Sequence, residues 1–400
     1  MSDKQNRREF LARTARWAAS AGLLGGATFP LLSESRASQG GLKILTRTLG
    51  KTGISLPVVS MGVMNADVPG LIRRAYEVGI RHFDTAARYQ GGRNEEMVGA
   101  VIQEMGVRQS VVISTKVRVE PATRGTEARD AFRQTFEGSL KRLQMDYVDI
   151  LYYHAVGTAE EAQAEEPLEA LAQLKKEGRA RFVGISTHQG AGVVLPAAAR
   201  LGVFDVGLVA INYTMASDKD VLAAIDEAAK AGMGIVAMKT QAGGTARPDP
   251  KLPPLPPCSQ TALLKWVLRN PSITTAIPGF TTYEQLEQNF SVASDLEYTG
   301  AEREFLGDKT LAAQSEFCRQ CGSCRADCPR GADVPTLMRA HMYGLQYSNE
   351  DLARYTLASI KPGEGLDACR SCSTCAATCR NEVRIGRKIA HLKLSHLAAS

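Results

Sequence analysis

Eight of the chain's nine cysteines write one spacing twice. Cys318, Cys321, Cys324 and Cys328 read C-x2-C-x2-C-x3-C with Pro329 next, and Cys369, Cys372, Cys375 and Cys379 repeat that spacing after a long insert. Two-residue gaps let a tight loop wrap three thiolates around one corner of a cube while the fourth arrives from elsewhere. The chemistry this spacing suits is ligation of iron–sulfur clusters. A disulfide framework or a pair of zinc sites would use the same residue type, but zinc sites usually offer two C-x2-C pairs rather than a triplet plus one. Cys258, far upstream in a proline-rich segment, stands outside the pattern.

A second group with chemical potential is Asp84, Tyr89, Lys116 and His154. A carboxylate, a phenol, an amine and an imidazole can move a proton together if the fold brings them to one place. Short apolar runs alternate here with amphipathic ones: 58–63, 80–84, 111–116, 147–153, 180–186, 206–212, 234–239 and 273–278 read as strands, and patterns such as Leu71, Ile72 and Ala75 read as helices. Eight strands alternating with helices predict a parallel (β/α)8 TIM barrel. No G-x-G-x-x-G follows the first strand, which disfavours an open doubly wound sheet. A barrel also predicts that chemistry sits just after the strands, on the C-terminal rim. Asp84 closes the second run, Tyr89 follows it, Lys116 ends the third and His154 follows the fourth.

Gly79-Ile80-Arg81-His82-Phe83-Asp84-Thr85-Ala86, then Tyr89, Glu95 and Val98-Gly99, resembles the signature of the aldo-keto reductases, and the resemblance in order and spacing extends from Arg47 to about Asn289. It implies that Tyr89 is the general acid for a carbonyl oxygen, that Lys116 lowers the phenol's pKa, that Asp84 holds Lys116, and that His154 orients the oxygen. It also assigns contacts to NAD(P)H to Ser186, Thr187, Asn212, Gly279 and Asn289. The match departs from the family pattern at Thr187, where Asn is usual, at Ala210, where Gln is usual, and at Gly279 and Gln285, where basic residues commonly clamp a 2′-phosphate.

The barrel is expected over 38–298 and a cysteine module over 299–400. Forty residues separate Cys328 from Cys369, which resembles the helical ferredoxins. In two-cluster ferredoxins the fourth cysteine of each run serves the other cluster. That resemblance implies one [4Fe-4S] cluster on Cys318, Cys321, Cys324 and Cys379 and a second on Cys369, Cys372, Cys375 and Cys328. Arg380 stands where proline follows the first run. The final basic stretch carries Ile385, Ile389 and Leu392 at helical spacing, a face that could pack on the module or dock on a membrane surface.

The first 37 residues carry six basic and three acidic side chains, half of the formal net charge of +6. The remaining +3 makes no electrostatic case for nucleic acid. Asn6-Arg7-Arg8-Glu9-Phe10-Leu11, an apolar stretch from Trp17 to Leu32 and Ser35-Arg36-Ala37 resemble a twin-arginine export signal. The expectation is a periplasmic iron–sulfur oxidoreductase acting on a small carbonyl or alcohol and served by a redox partner protein, with no transmembrane segment in the mature chain. The alternative is an electron-transfer subunit whose barrel is a non-catalytic ligand-binding or docking scaffold.

Overall fold

The computed structural model describes residues 43–118, 123, 125–241, 255–308 and 317–395. The export signal expected over 1–37 and most of the proline-rich loop lie outside these residues.

A short antiparallel hairpin, β1 (Thr46–Thr48) and β2 (Ser55–Pro57), precedes eight parallel strands: β3 (Met61–Gly62), β4 (His82–Asp84), β5 (Val112–Val117), β6 (Val148–Tyr153), β7 (Ala180–Thr187), β8 (Val206–Ala210), β9 (Gly234–Met238) and β10 (Thr275–Ala276). The eight pair in sequence order, and the ring completes itself where Val59 bridges Ala276 and Gly62 bridges Gly279. The backbone N–H of Ser60 donates to Ala276 O at 2.8 Å and that of Gly62 to Pro278 O at 3.0 Å. All eight expected runs are strands, and the fold is a nearly closed parallel barrel.

Alternation predicts nothing before Val58, yet the hairpin plugs the bottom of the barrel. Leu49, Ile54 and Leu56 pack beneath the inward-facing Val112, Ile150, Tyr152, Val206, Leu208 and Val236. Only glycine serves at position 50: its φ is +52°, and a Cβ there would lie 2.3 Å from Gly234 N. The surrounding helices cover the outer strand face with apolar stripes. Pro69–Val78, for example, starts on proline, buries Leu71, Ile72 and Ala75, and ends on left-handed Gly79. Each fully buried Leu or Ile contributes about 1.5–3 kcal/mol.

After the barrel, the helix Gly300–Gly307 opens on a capping box between Thr299 and Glu302. Buried Glu302 also takes Lys265 Nζ at 2.9 Å and Thr261 Oγ1 at 2.7 Å, fastening this helix to the barrel. The cysteine module follows, with helices Val334–His341, Glu350–Ala358 and Ile385–Leu394 and a π-helical turn at Met342–Gln346. Its apolar core includes Val334, Leu337, Met338, Leu352, Ile389 and Leu392, and it runs on into Ala86 and Tyr89 of the barrel rim. The module is therefore seated over the C-terminal mouth. Asn349 Nδ2 donates to Asn65 Oδ1 at 3.1 Å, and the Arg88 guanidinium lies 4.5 Å from the centroid of the Tyr355 ring. Ile385, Ile389 and Leu392 are buried in this packing, so the last helix turns these three inward, while Leu394 at its end is exposed. Among the described residues no helix is long and apolar enough to cross a membrane.

His82 is fully buried, and burial lowers its pKa from 6.5 to about 4, outweighing the opposing pull of Asp84. Between those values the unfolded chain takes up a proton that the folded chain refuses. Stability present above pH 6.5 should therefore be lost as pH falls toward 4, at about 1.4 kcal/mol per unit from this residue. Denaturant midpoints across that range should fall more steeply for wild type than for His82→Gln; parallel curves would contradict the assignment.

Candidate active site and cluster ligands

Alternation along β4 and β5 builds the polar centre. His82 and Asp84 are two residues apart on β4 and share a face, as Ser114 and Lys116 do on β5. The register sets Asp84 beside Ser114. His82 Nε2 lies 2.9 Å from Ser114 Oγ, and Ser114 Oγ donates to Asp84 Oδ2 at 2.6 Å. With the serine proton directed to the carboxylate, Ser114 accepts from an Nε2–H imidazole. Lys116 Nζ binds Asp84 Oδ1, donates to Thr85 O at 2.6 Å and reaches Tyr89 OH at 3.5 Å. The ammonium thus has three acceptors for its three protons. Lys116 is 1% and Asp84 2% exposed.

Tyr89 is held just past β4 and is 8% exposed. Since its oxygen accepts from Lys116, its own proton is left to point into the cleft. Burial pushes the phenol well above its ordinary value, and Asp84 adds to the rise. This is opposite to the lowering expected from a neighbouring ammonium, because burial governs and the Asp84 carboxylate acts in the same direction. Tyr89 therefore keeps its proton at rest. His154, one residue past β6, lies 6.3 Å from Tyr89 between ring centroids. Burial, then Lys116, Arg118 and Arg339, keep its pKa well below 6.5, so it is a neutral imidazole. Glu95, part of the same signature, is a structural residue: it is fully buried and accepts from Arg142 Nε at 2.8 Å.

Of the four expected acid–base residues, Asp84 and Tyr89 line a cleft of about 750 Å³ at the barrel mouth, with His188, Lys239, Gly279 and Tyr347 among others, while Lys116 and His154 stand behind its wall. Of the five residues assigned to a dinucleotide, only Gly279 lines it. Ser186 Oγ accepts from Ala155 N at 2.9 Å and Thr187 Oγ1 donates to Gln189 O at 2.6 Å. Asn212 caps its own turn through Thr214, and Asn289 pairs with Gln241 and with Gln285 O. The four engage their polar groups within the protein.

Sequence reasoning missed Lys239, His188, Tyr343 and Tyr347. Lys239 follows β9 on the same rim as Lys116 and His154, so the rim rule alone could have found it. The two tyrosines come from the module's π-helical turn, and no local pattern announces that they reach the barrel.

None of the nine cysteines is in a disulfide, the module's eight included. Among the described residues no three His, Cys, Asp or Glu side chains are gathered closely enough for a single metal ion. The thiols instead stand around larger spaces, as donors to a multi-iron cube must. Cys318, Cys321, Cys324 and Cys379 line one cavity of about 340 Å³ with Met338, Val383 and Ile385. Burial pushes the Cys318 thiol up to about 12, and the neighbours that add to it are Cys324, Cys379 and Cys321. Cys369 is likewise raised by burial and opposed by Lys393, and its thiol neighbours are Cys328, Cys372 and Cys375. Each run therefore sends its fourth cysteine to the other's triplet, and both donor sets fit a four-iron cluster.

A parallel barrel with ionisable groups on its C-terminal rim, joined to a module of crossed thiol sets, defines an oxidoreductase. Residues 60–254 match the Aldo/keto reductase family and residues 317–385 match a 4Fe-4S dicluster domain. The chain is 28% identical over 302 residues to L-galactose dehydrogenase of Arabidopsis thaliana, covering 66% of this chain and 93% of that protein. It is 35% identical over 157 residues to L-glyceraldehyde 3-phosphate reductase of Escherichia coli, covering 36% of this chain and 45% of that protein. An aldo-keto reductase of Bacillus halodurans in its holo form shares the fold, with a TM-score of 0.55 at 24% identity, over 66% of this chain and 95% of that one.

The crossed sets predict a pattern of iron loss. Cys318→Ser, Cys379→Ser and the double variant should each lose about four irons, whereas Cys369→Ser with Cys379→Ser should lose about eight. Iron analysis of anaerobically purified protein checks this, and additive loss in the 318/379 pair would exclude the crossing.

Proposed function

We propose that the chain interconverts a small carbonyl compound and its alcohol at the barrel mouth, with Tyr89 as general acid and with electrons passing through two [4Fe-4S] clusters. The observation that carries this reading is the Lys116 ammonium, fixed by Asp84 against the Tyr89 hydroxyl, beside a cleft roofed by the cysteine module. Reducing a carbonyl takes two electrons and two protons, and four-iron clusters supply electrons singly. Tyr89 would give one proton to the oxygen as it becomes basic and solvent would supply the one that ends on carbon, with the two electrons drawn in turn from a redox partner. Neutral His154 donates a hydrogen bond that orients the oxygen. Lys116 would then stabilise the tyrosinate left behind, its charge uncovered when the phenol loses its proton.

Export by the twin-arginine route belongs to the same reading, supported by the residues around Arg7 and Arg8. That route carries proteins already folded around their cofactors, which suits clusters assembled in the cytoplasm, and a periplasmic redox protein would supply or accept the electrons. A second reading, an electron-transfer subunit with a scaffold barrel, draws on the inward hydrogen bonds of Ser186, Thr187 and Asn212. Titration with NADH and NADPH separates the sources of electrons: tight binding favours nicotinamide, and none leaves the clusters.

Tyr89→Phe should lower carbonyl turnover by about 10²- to 10⁴-fold with unchanged iron content and melting temperature. Undiminished turnover would remove Tyr89 from the chemistry. Arg7→Lys with Arg8→Lys should shift the protein from the periplasmic to the cytoplasmic fraction; unchanged fractionation would remove the export assignment.

A further inference from the structure

A second cavity, of about 460 Å³, lies between the barrel rim and the cysteine module. His188 and Lys239 line both it and the Tyr89 cleft, so the two spaces share a wall. Arg319, Arg339 and Lys388 border it from the module, and no carboxylate lines it. The cavity therefore collects cationic side chains without anions.

Lys239 is the pivot. It stands immediately after β9 in a left-handed backbone conformation, φ +59°, which a lysine adopts only where its surroundings compel it. Its Nζ rests 4.6 Å from the Tyr343 ring centroid and 5.2 Å from that of Tyr347. Among the described residues no Asp or Glu pairs with Lys239, while Arg339 is partly balanced by Asp333 and the Cys318 thiol. Burial, then Arg339 and Lys116, lower the Lys239 pKa to about 7. His188 faces the Tyr343 hydroxyl through Nε2 at 3.3 Å, while its buried Nδ1 has no partner. If Tyr343 donates to Nε2, Nδ1 carries the proton and is a donor without an acceptor. A half-buried Lys239 without an acidic neighbour and a donor lacking an acceptor are costly, and one anion would satisfy both. Arg319 adjoins Cys318 and can balance cluster thiolates, but Lys239 and His188 belong to the barrel side.

We propose that this cavity binds an oxyanion, a carboxylate or phosphate carried by the molecule that reacts at Tyr89, with Lys239 and Arg339 as its counter-charges and His188 as a neutral donor. The site would select acidic carbonyl substrates over neutral ones. The second half of the proposal rests on the reading of the Tyr89 cleft as the reaction site; the anion site itself does not.

Isothermal titration of the anaerobically purified, cluster-loaded protein tests it, with pyruvate as carboxylate probe, inorganic phosphate as phosphate probe and acetone as neutral control. Pyruvate, phosphate or both should bind, and affinity should fall roughly tenfold or more in Lys239→Gln and in Arg339→Gln. Lys239→Arg should retain most of it, which also guards against loss of binding through misfolding, and acetone should show no such dependence. The proposal is overturned if neither anion binds, if both glutamine variants bind as wild type does, or if those variants shift the cluster midpoint potentials while affinity stays constant. Tyr89→Phe should keep wild-type anion affinity, so a failure of the reductase reading and a failure of the anion site give different results.

Discussion

The ion pair between Lys116 and Asp84 is the constraint around which the molecule is built. Both charges are almost wholly removed from water, and a buried pair is tolerable only when geometry is good and the remaining hydrogen-bonding capacity is filled. Thr85 O and Tyr89 OH complete the ammonium, and Ser114, backed by His82, completes the carboxylate. Every member of that chain comes from β4, β5 or the turn after β4. The strand register is therefore as much a part of the site as the side chains, because a slip of one residue would turn these groups out of the network.

The same closure that organises the pair explains the phenol. Burial governs Tyr89, and the Asp84 carboxylate acts in the same direction. The proton stays on oxygen, and the phenol is covered by aromatic side chains that belong to another part of the chain. Tyr343 and Tyr347 contribute this cover and hold the Lys239 ammonium beneath them.

Much of this was legible in the sequence, for identifiable reasons. Strands of a parallel barrel are buried on both faces, so they appear as apolar runs, and residues such as Asp84, Lys116 and His154 stand out at their ends. Cysteine spacing is equally direct, since a loop that wraps a cube has few solutions. The β1–β2 hairpin was not legible: its strands are three residues each, too short to show alternation, and its role depends on what lies above it. The upward push on Tyr89 was hidden because it follows from burial and from a neighbouring carboxylate. Lys239, His188 and the module tyrosines were hidden because packing between distant segments leaves no local periodicity.

The crossing of the fourth cysteines has a consequence for assembly. Tyr343, Tyr347 and the π-helical turn lie in the insert between the two runs, which is pinned at both ends, at Cys328 and Cys369, by ligands of one and the same set. Neither set of four is complete until that insert has looped back, so each cluster staples the other's loop and the pair act like interlocked clasps. The roof over the barrel mouth is set by the same event. The cover of the barrel mouth is thus carried by a segment whose two ends belong to one thiol set, so that ligand geometry and mouth geometry are tied together.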